Sequence, residues 1–327
     1  MVSPAVVEIR GAVRKALENL SAGDAVLVAC SGGADSLALA WAISVEAPKL
    51  ALRVIGVTID HQLQSSSSLQ AERVLDQMRA MGIKEVEAIR VKVEMTDGLE
   101  ASARRARYEA LNEIADRKSA VKIFLGHTQD DQAETVLLGL ARGSGTRSLS
   151  GMAGESGRYL RPLLGITRDQ TLSLCRENGL EVWNDPHNQD PRFLRVRLRN
   201  QALPILEETI GPGVAPALAR SAALLRDDAD ALDEWARREF TSIEWSSMEV
   251  AHLAGLPKAV RTRILRLAAY AAGAPSGSIL AEHVAAIEAL VTSWHGQGEV
   301  SLPGGVKVGR LSGRLSLLPA QHHETEI

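Results

Sequence analysis

The sequence predicts an α/β protein: a doubly wound parallel sheet followed by a smaller C-terminal, mainly helical domain that ends in short strands. Three observations predict it. Short apolar runs alternate with amphipathic segments through the first half of the chain, the pattern of βαβ units. After Gly143 the alternation gives way to a Gly/Ser-rich stretch and then to long helical periodicity. The tail VSLPGGVKVGRLSGRLSLL has period-two runs broken at Pro-Gly-Gly and Ser-Gly, a small β-meander.

In order along the chain, MVSPAVVEIRGAVRKALENL reads as an amphipathic helix and not as a signal peptide. AVLVAC (25–30) is a buried strand bounded by glycines, and SLALAWAISV continues as a helix. LRVIGVTI (52–59) is the second strand, and 68–82 a helix closed by Gly82. VEAIRVKV (86–93) is the third strand, 99–119 a long amphipathic helix, VKIFLG (121–126) the fourth strand, and 131–143 a helix ending at glycine. RGSGTRSLSGMAGESG (142–157) is too long for a simple connector and is expected to be functional. ETIGPGVAPAL (208–218), with its glycines and prolines, is the expected boundary between domains at 1–212 and 213–327. Residues 217–240 form a long helix whose acids, Asp227 to Glu234, read as a solvated face.

The 327 residues suffice for two domains, and 45% hydrophobic content supports an ordinary core. With 3% aromatics, that core must be built from Ala, Leu, Val and Ile. A net charge of −3 excludes a molecule that is basic throughout, but not a local basic strip. Between residues 141 and 200 ten arginines stand against six acids. Cys30 and Cys175 belong to no CxxC pair, which suits a reducing cytosol, so a cytoplasmic location is expected. No apolar run reaches membrane-spanning length, and no membrane partner is expected.

The chemistry concentrates in SGGADS, Ser31 to Ser36, between the first strand and its helix. Neither GxGxxG nor the Walker pattern GxxxxGK[ST] fits it. Gly32 and Gly33 let the backbone approach an anion, and Ala34 and Ser36 open the helix whose N-terminus supplies positive potential. Ser31 and Ser36 add hydroxyls. Asp35 would repel a phosphate unless Mg²⁺ lies between them or the carboxylate orients the loop. In GHTQDDQAET (126–135), His127, Asp130, Asp131 and Glu134 crowd the C-terminal end of the fourth strand, where open α/β sheets bind ligands. Asp131 and Glu134 share a helix face and could hold Mg²⁺ or an ammonium group. DPHNQDPRFLRVRLRN carries Arg192, Arg195, Arg197 and Arg199. As a strand the last three would share a face; as a helix they would fan round it; either suits phosphate better than a core.

SGGADS resembles the pyrophosphate loop (PP-loop) of the ATP pyrophosphatases. Together with GHTQDDQAET, RPLL (161–164) and the arginine-rich stretch, in this order over about residues 24–204, it resembles the tRNA(Ile)-lysidine synthetase family. The resemblance implies an ATP-dependent ligase forming a carbon–nitrogen bond. It would adenylate the C2 oxygen of the wobble cytidine in a CAU-anticodon tRNA(Ile), releasing pyrophosphate, then attach free L-lysine at C2 as AMP leaves. It implies ATP on Ser31 to Ser36, Mg²⁺ on Asp35 and Asp131, and catalytic roles for Asp35, His127, Asp130, Asp131 and Glu134. It assigns Arg104, Arg107, Arg142, Arg147, Arg192, Arg195, Arg197 and Arg199 to the tRNA side. Where the family often reads HGLR, this chain reads HQLQ (61–64). Two rivals share the loop: a sulfur-transferring PP-loop enzyme, which would want more cysteines, and a non-catalytic nucleotide-binding protein, which would not need the acid cluster.

Overall fold

The computed structural model describes residues 3–60, 67–91, 99–143, 145–185 and 190–319. HQLQ at 61–64, Gly98, Ser144 and 186–189 lie outside the described residues. The chain divides into two compact units, Met1–Arg226 and Asp227–Ile327. The divide falls inside one long helix, beyond the 212/213 boundary expected from the prolines and glycines.

The first unit is built on a six-stranded sheet in the order β3-β2-β1-β4-β6-β5. The strands are β1 (Ala25–Ala29), β2 (Arg53–Asp60), β3 (Glu85–Arg90), β4 (Ala120–Phe124), β5 (Glu155–Ser156) and β6 (Tyr159–Leu160). The pairs β1–β2, β2–β3, β1–β4 and β4–β6 are parallel, and β5 returns antiparallel on β6. The parallel, doubly wound expectation therefore holds. The β5–β6 hairpin, which starts at the end of the Gly/Ser-rich stretch and runs past it, is an addition, since two-residue strands leave no periodicity to read. The winding reverses at β1, which sits between β2 and β4, so the loops after β1 and β4 open side by side.

Among the described residues, seven α-helices precede the arginine-rich stretch: α1 (Pro4–Leu17), α2 (Ala34–Glu46), α3 (Ser67–Ala80), α4 (Leu99–Arg117), α5 (Gln129–Ala141), α6 (Thr146–Leu149) and α7 (Arg168–Glu177). Pro4 and the Ser3 cap start α1, and Val6, Ile9, Val13 and Leu17 form its buried stripe. Its neighbour α2 is buried on nearly every side from Leu37 to Ile43, as its alanine-rich sequence allows. The stretch from 194 to 210 is helical: α8 (Leu194–Arg197), a π-helical turn (Leu198–Ala202) and α9 (Leu203–Ile210).

Helix α10 (Val214–Thr241) leads into the second unit, where Asp227, Asp228 and Asp230 are exposed as expected. There α11 (Val250–Gly255), α12 (Lys258–Ala271) and α13 (Ala281–Thr292) share a core with a four-stranded antiparallel sheet in the order β7-β10-β9-β8. Its strands are β7 (Ser247–Glu249), β8 (Val300–Ser301), β9 (Lys307–Leu311) and β10 (Arg314–Leu318). The tail meander supplies three of them, and β7 adds an edge.

Candidate active site

The turn from β1 into α2 is shaped by its glycines and one serine. Gly32 has φ of +87°, and a Cβ there would meet Val74 Cγ2 at 2.7 Å, so only glycine fits without displacement. Ser36 Oγ accepts from Ser31 N–H at 3.1 Å and donates to Gly33 O at 2.9 Å, closing the loop on itself. Gly33 caps α2 with no side-chain bond, so the first N–H groups of that helix are left for a ligand. Gly126, just after β4, lies against the same turn: a Cβ there would come within 2.9 Å of Asp35 O. A cavity of about 290 Å³ adjoins the loop, lined by Ser31, Ser36, Asp60, Gln70, His127 and Trp183 among others.

Across from the loop, Arg168 at the start of α7 joins the acids. Its Nε donates to Asp35 Oδ2 at 3.2 Å and its Nη2 to Asp131 Oδ1 at 3.1 Å, while its backbone N–H donates to Asp130 Oδ2 at 2.8 Å. Thr171, one turn along α7, donates to Asp35 Oδ1 at 2.5 Å. Asp131 Oδ2 accepts from Thr128 N–H at 2.9 Å and completes the capping box of α5. Capping and clustering are thus one arrangement. Asp130 serves the N-terminus of α7, whereas Asp131 and Glu134 turn inward.

Glu134 is fully buried. Arg199 Nε donates to its Oε1 at 2.7 Å, and Arg195 lies 3.6 Å from Oε2, which is buried and accepts no hydrogen bond. Of the strand and the helix that the sequence leaves open for these arginines, the structure has the helix. The segment is helical, so Arg195 and Arg199, four apart, share the face toward Glu134. Arg197 is exposed and donates to Pro191 O at 2.7 Å, and Arg192 is exposed and chelates Asp190. Arg142 and Arg147 are exposed at the end of α5 and in α6.

The charges settle accordingly. Burial, with Asp131 adding, pushes the Asp35 carboxyl above the ordinary range despite Arg168 and Thr171. Burial also opposes ionisation of Asp131, but Arg168, the Thr128 amide, His127 and Arg199 outweigh it and hold its carboxyl low. Burial raises Glu134 against the pull of Arg199. Burial pushes His127 down to about 4, and Arg107, Arg161 and Arg104 add to this against Asp131; its Nδ1 is buried without a partner.

Residues 7–206 match the PP-loop domain family, and residues 248–316 match the TilS substrate binding domain. The tRNA(Ile)-lysidine synthase of Thermobifida fusca is 52% identical over 95% of this chain and 97% of its own length. That of Streptomyces coelicolor is 55% identical over 89% of this chain and 84% of its own length. The chain belongs to the tRNA(Ile)-lysidine synthase family. With that membership, it is a ligase with an ATP-binding PP-loop domain. A solved U34-tRNA thiolase, NcsA from Methanococcus maripaludis, carrying a 4Fe–4S cluster, shares the fold at a TM-score of 0.56. It is 20% identical, over 68% of this chain and 80% of that one.

The thiolating rival finds little support here. Cys30 and Cys175 are both buried, and burial raises both thiols, Cys175 to about 12, so neither is poised as a thiolate at neutral pH. What the residues alone did not reveal is Arg168 with Thr171, the hub of the site. ITRDQ reads as an ordinary helix start, and only the fold brings it to Asp35.

Proposed function

We propose that this ligase uses ATP to adenylate the C2 oxygen of the wobble cytidine in a CAU-anticodon tRNA(Ile). It then joins the ε-amine of free L-lysine at that carbon, with AMP and pyrophosphate as products. The observation that carries the reading is the bridge of Arg168 between Asp35 of the anion-binding loop and Asp131 of the carboxylate pair. One guanidinium joins the place where a triphosphate fits to the place where an ammonium group fits.

The residues divide the work. Ser31, Gly32, Gly33, Ala34 and Ser36 present backbone N–H groups and hydroxyls to the departing pyrophosphate, whose developing charge they stabilise. Asp35 and Asp131 fit Mg²⁺, because burial and mutual repulsion leave the Asp35 carboxylate incompletely neutralised by Arg168. Held there, the ion would supply further charge neutralisation at the phosphates. Glu134 Oε2, buried without a hydrogen bond and 3.6 Å from Arg195, suits the lysine ammonium, with Asp131 as a shared neighbour. His127, held neutral, offers the cytidine an uncharged hydrogen bond. A single-stranded anticodon loop lets the base leave its stack at low cost.

Residues 1–212 act as the catalytic domain and 213–327 as a tRNA-binding accessory domain, a division supported by the substrate-binding match at 248–316. The exposed Arg142, Arg147, Arg192 and Arg197 suit tRNA phosphates, with Arg104 and Arg107 nearer the cavity. Among the described residues no helix is long and apolar enough to cross a membrane, and the buried thiols support a cytoplasmic setting. The test is incubation with ATP, Mg²⁺, labelled lysine and a CAU-anticodon tRNA(Ile) transcript, followed by nucleoside analysis. Labelled lysidine is expected; label confined to free lysine while ATP is consumed would refute the assignment.

A further inference from the structure

The Gly/Ser-rich segment is exposed where it carries Arg142 and Arg147, and it turns inward at Ser150. Ser150 is 1% exposed, and its hydroxyl donates to Thr146 O at 2.8 Å, which ties it to α6. From there three consecutive residues are held by two helices. Gln132 follows Asp131 on α5 and is buried. Its amide nitrogen donates to Met152 O at 2.9 Å, and its amide oxygen accepts from Met152 N–H at 2.6 Å. Arg226, the last residue of the first unit, donates through Nη2 to Ser150 O at 2.8 Å and to Gly151 O at 2.7 Å. Gly151 has φ of +62°, and a Cβ there would stand 2.5 Å from Gln132 Oε1 and 3.4 Å from Ala222 Cβ of α10.

A buried turn must pair its backbone groups, and these bonds do so. The choice of partners goes further. A two-way amide pair fixes both the height and the tilt of Met152 against α5, whereas one bond would leave it free to pivot. Arg226 does the same for the two carbonyls before it. Gly151 lets the turn close to a distance that a side chain would forbid. Arg147, carried by α6, is therefore joined to Asp131 and Glu134 by an unbroken line through Ser150, Met152 and Gln132. Energetic coupling between sites travels along such packed, hydrogen-bonded chains.

We propose that Gln132 and Arg226 are positioning residues. By gripping the Ser150–Met152 turn, they make the placement of Asp131 and Glu134 depend on tRNA held at Arg142 and Arg147. The inference rests on the function proposed above, which puts tRNA on those arginines and the chemistry on those carboxylates.

The test compares wild type with Gln132→Met, Arg226→Met, the double variant and Arg226→Lys, which keeps the charge and can reach one of the two carbonyls. Hydrogen exchange of the α5 amides is followed with and without a CAU-anticodon tRNA transcript, in the absence of ATP. Single-turnover adenylation without lysine is followed over a range of tRNA concentrations. In wild type, tRNA slows exchange in α5. In either Met variant that slowing is lost and the maximal rate falls about 10-fold, while the tRNA concentration giving half the maximal rate is kept. Arg226→Lys recovers part of the rate. The double variant is no slower than the slower single one, because one turn is released once. Full activity in either Met variant, losses that multiply in the double variant, or a loss confined to the half-saturating tRNA concentration overturns the proposal. So does α5 exchange that ignores tRNA in wild type. A rate loss shared in full by Arg226→Lys and matched by a lower melting temperature marks a purely structural role and overturns it too. The exchange measurement needs no reaction, so a wild-type protein that shows the slowing yet forms no adenylate counts against the reaction and not against this coupling.

Discussion

Replacing Arg168 with methionine removes the bridge of the site and leaves Asp35 and Asp131 facing each other. The side chains are 24%, 19% and 14% exposed, so this is a largely buried network. Breaking such a pair by removing one partner costs about 3–5 kcal/mol, and partial exposure favours the lower end, about 3 kcal/mol. For a unit of this size that lowers the melting temperature by roughly 6–12 °C. The pH dependence follows from the two carboxyls. In wild type Asp131 is depressed, so its contribution is present above its unfolded pKa and is lost only as pH falls through a lower folded value. Asp35 is raised, so its ionised form already opposes folding at neutral pH. Without Arg168 both folded values rise, and the folded protein takes up protons as pH falls. The deficit of the variant is therefore full near pH 7.5 and shrinks by about pH 5. Calorimetry of both proteins at the two pH values measures it. A deficit under about 1 kcal/mol, or one equal at both pH values, would refute the view that Arg168 compensates these two acids.

Three further outcomes follow from other parts of the first unit. Glu46 is 2% exposed and is bonded by Arg10, Arg14 and Lys49, which overcome its burial and hold it at about 2 against an ordinary 4.5. Arg14 and Lys49 are more than half exposed, so Glu46→Gln is expected to cost only about 2 kcal/mol at neutral pH, the difference vanishing as pH falls from 4.5 to about 2 in urea titrations. Gly126→Ala drives a Cβ onto the Asp35 and Ser36 backbone, which cannot swing aside; about 1–3 kcal/mol of destabilisation and weaker ATP binding are expected, and full affinity by titration would contradict the close approach. Single-turnover adenylation of tRNA without lysine should survive Glu134→Gln and fail in Asp131→Asn; a Glu134→Gln enzyme unable to adenylate would remove Glu134 from the lysine role.

The parts of this molecule that could be read from the chain are those whose cause is local. Apolar runs mark β1, β2 and β4, the first of them bounded by glycines, because a strand buried on both faces needs little else. Ser31 to Ser36 and Gly126 to Glu134 are legible because each motif is contiguous and its place at a strand end follows from βαβ winding alone. Arg168 was not legible, for it meets partners 133 and 37 residues away and nothing beside it marks the meeting. The arginines at 195 and 199 carry the sharper lesson. Their spacing leaves strand and helix open, and in either form the sequence alone gives them to phosphate. The fold decides for the helix, because Glu134 is buried 65 residues away from Arg199 and needs a counter-charge. A run of arginines in a chain that also buries carboxylates therefore cannot be divided by composition into residues for the nucleic acid and residues for the site. The division depends on which carboxylates the sheet has already taken out of water.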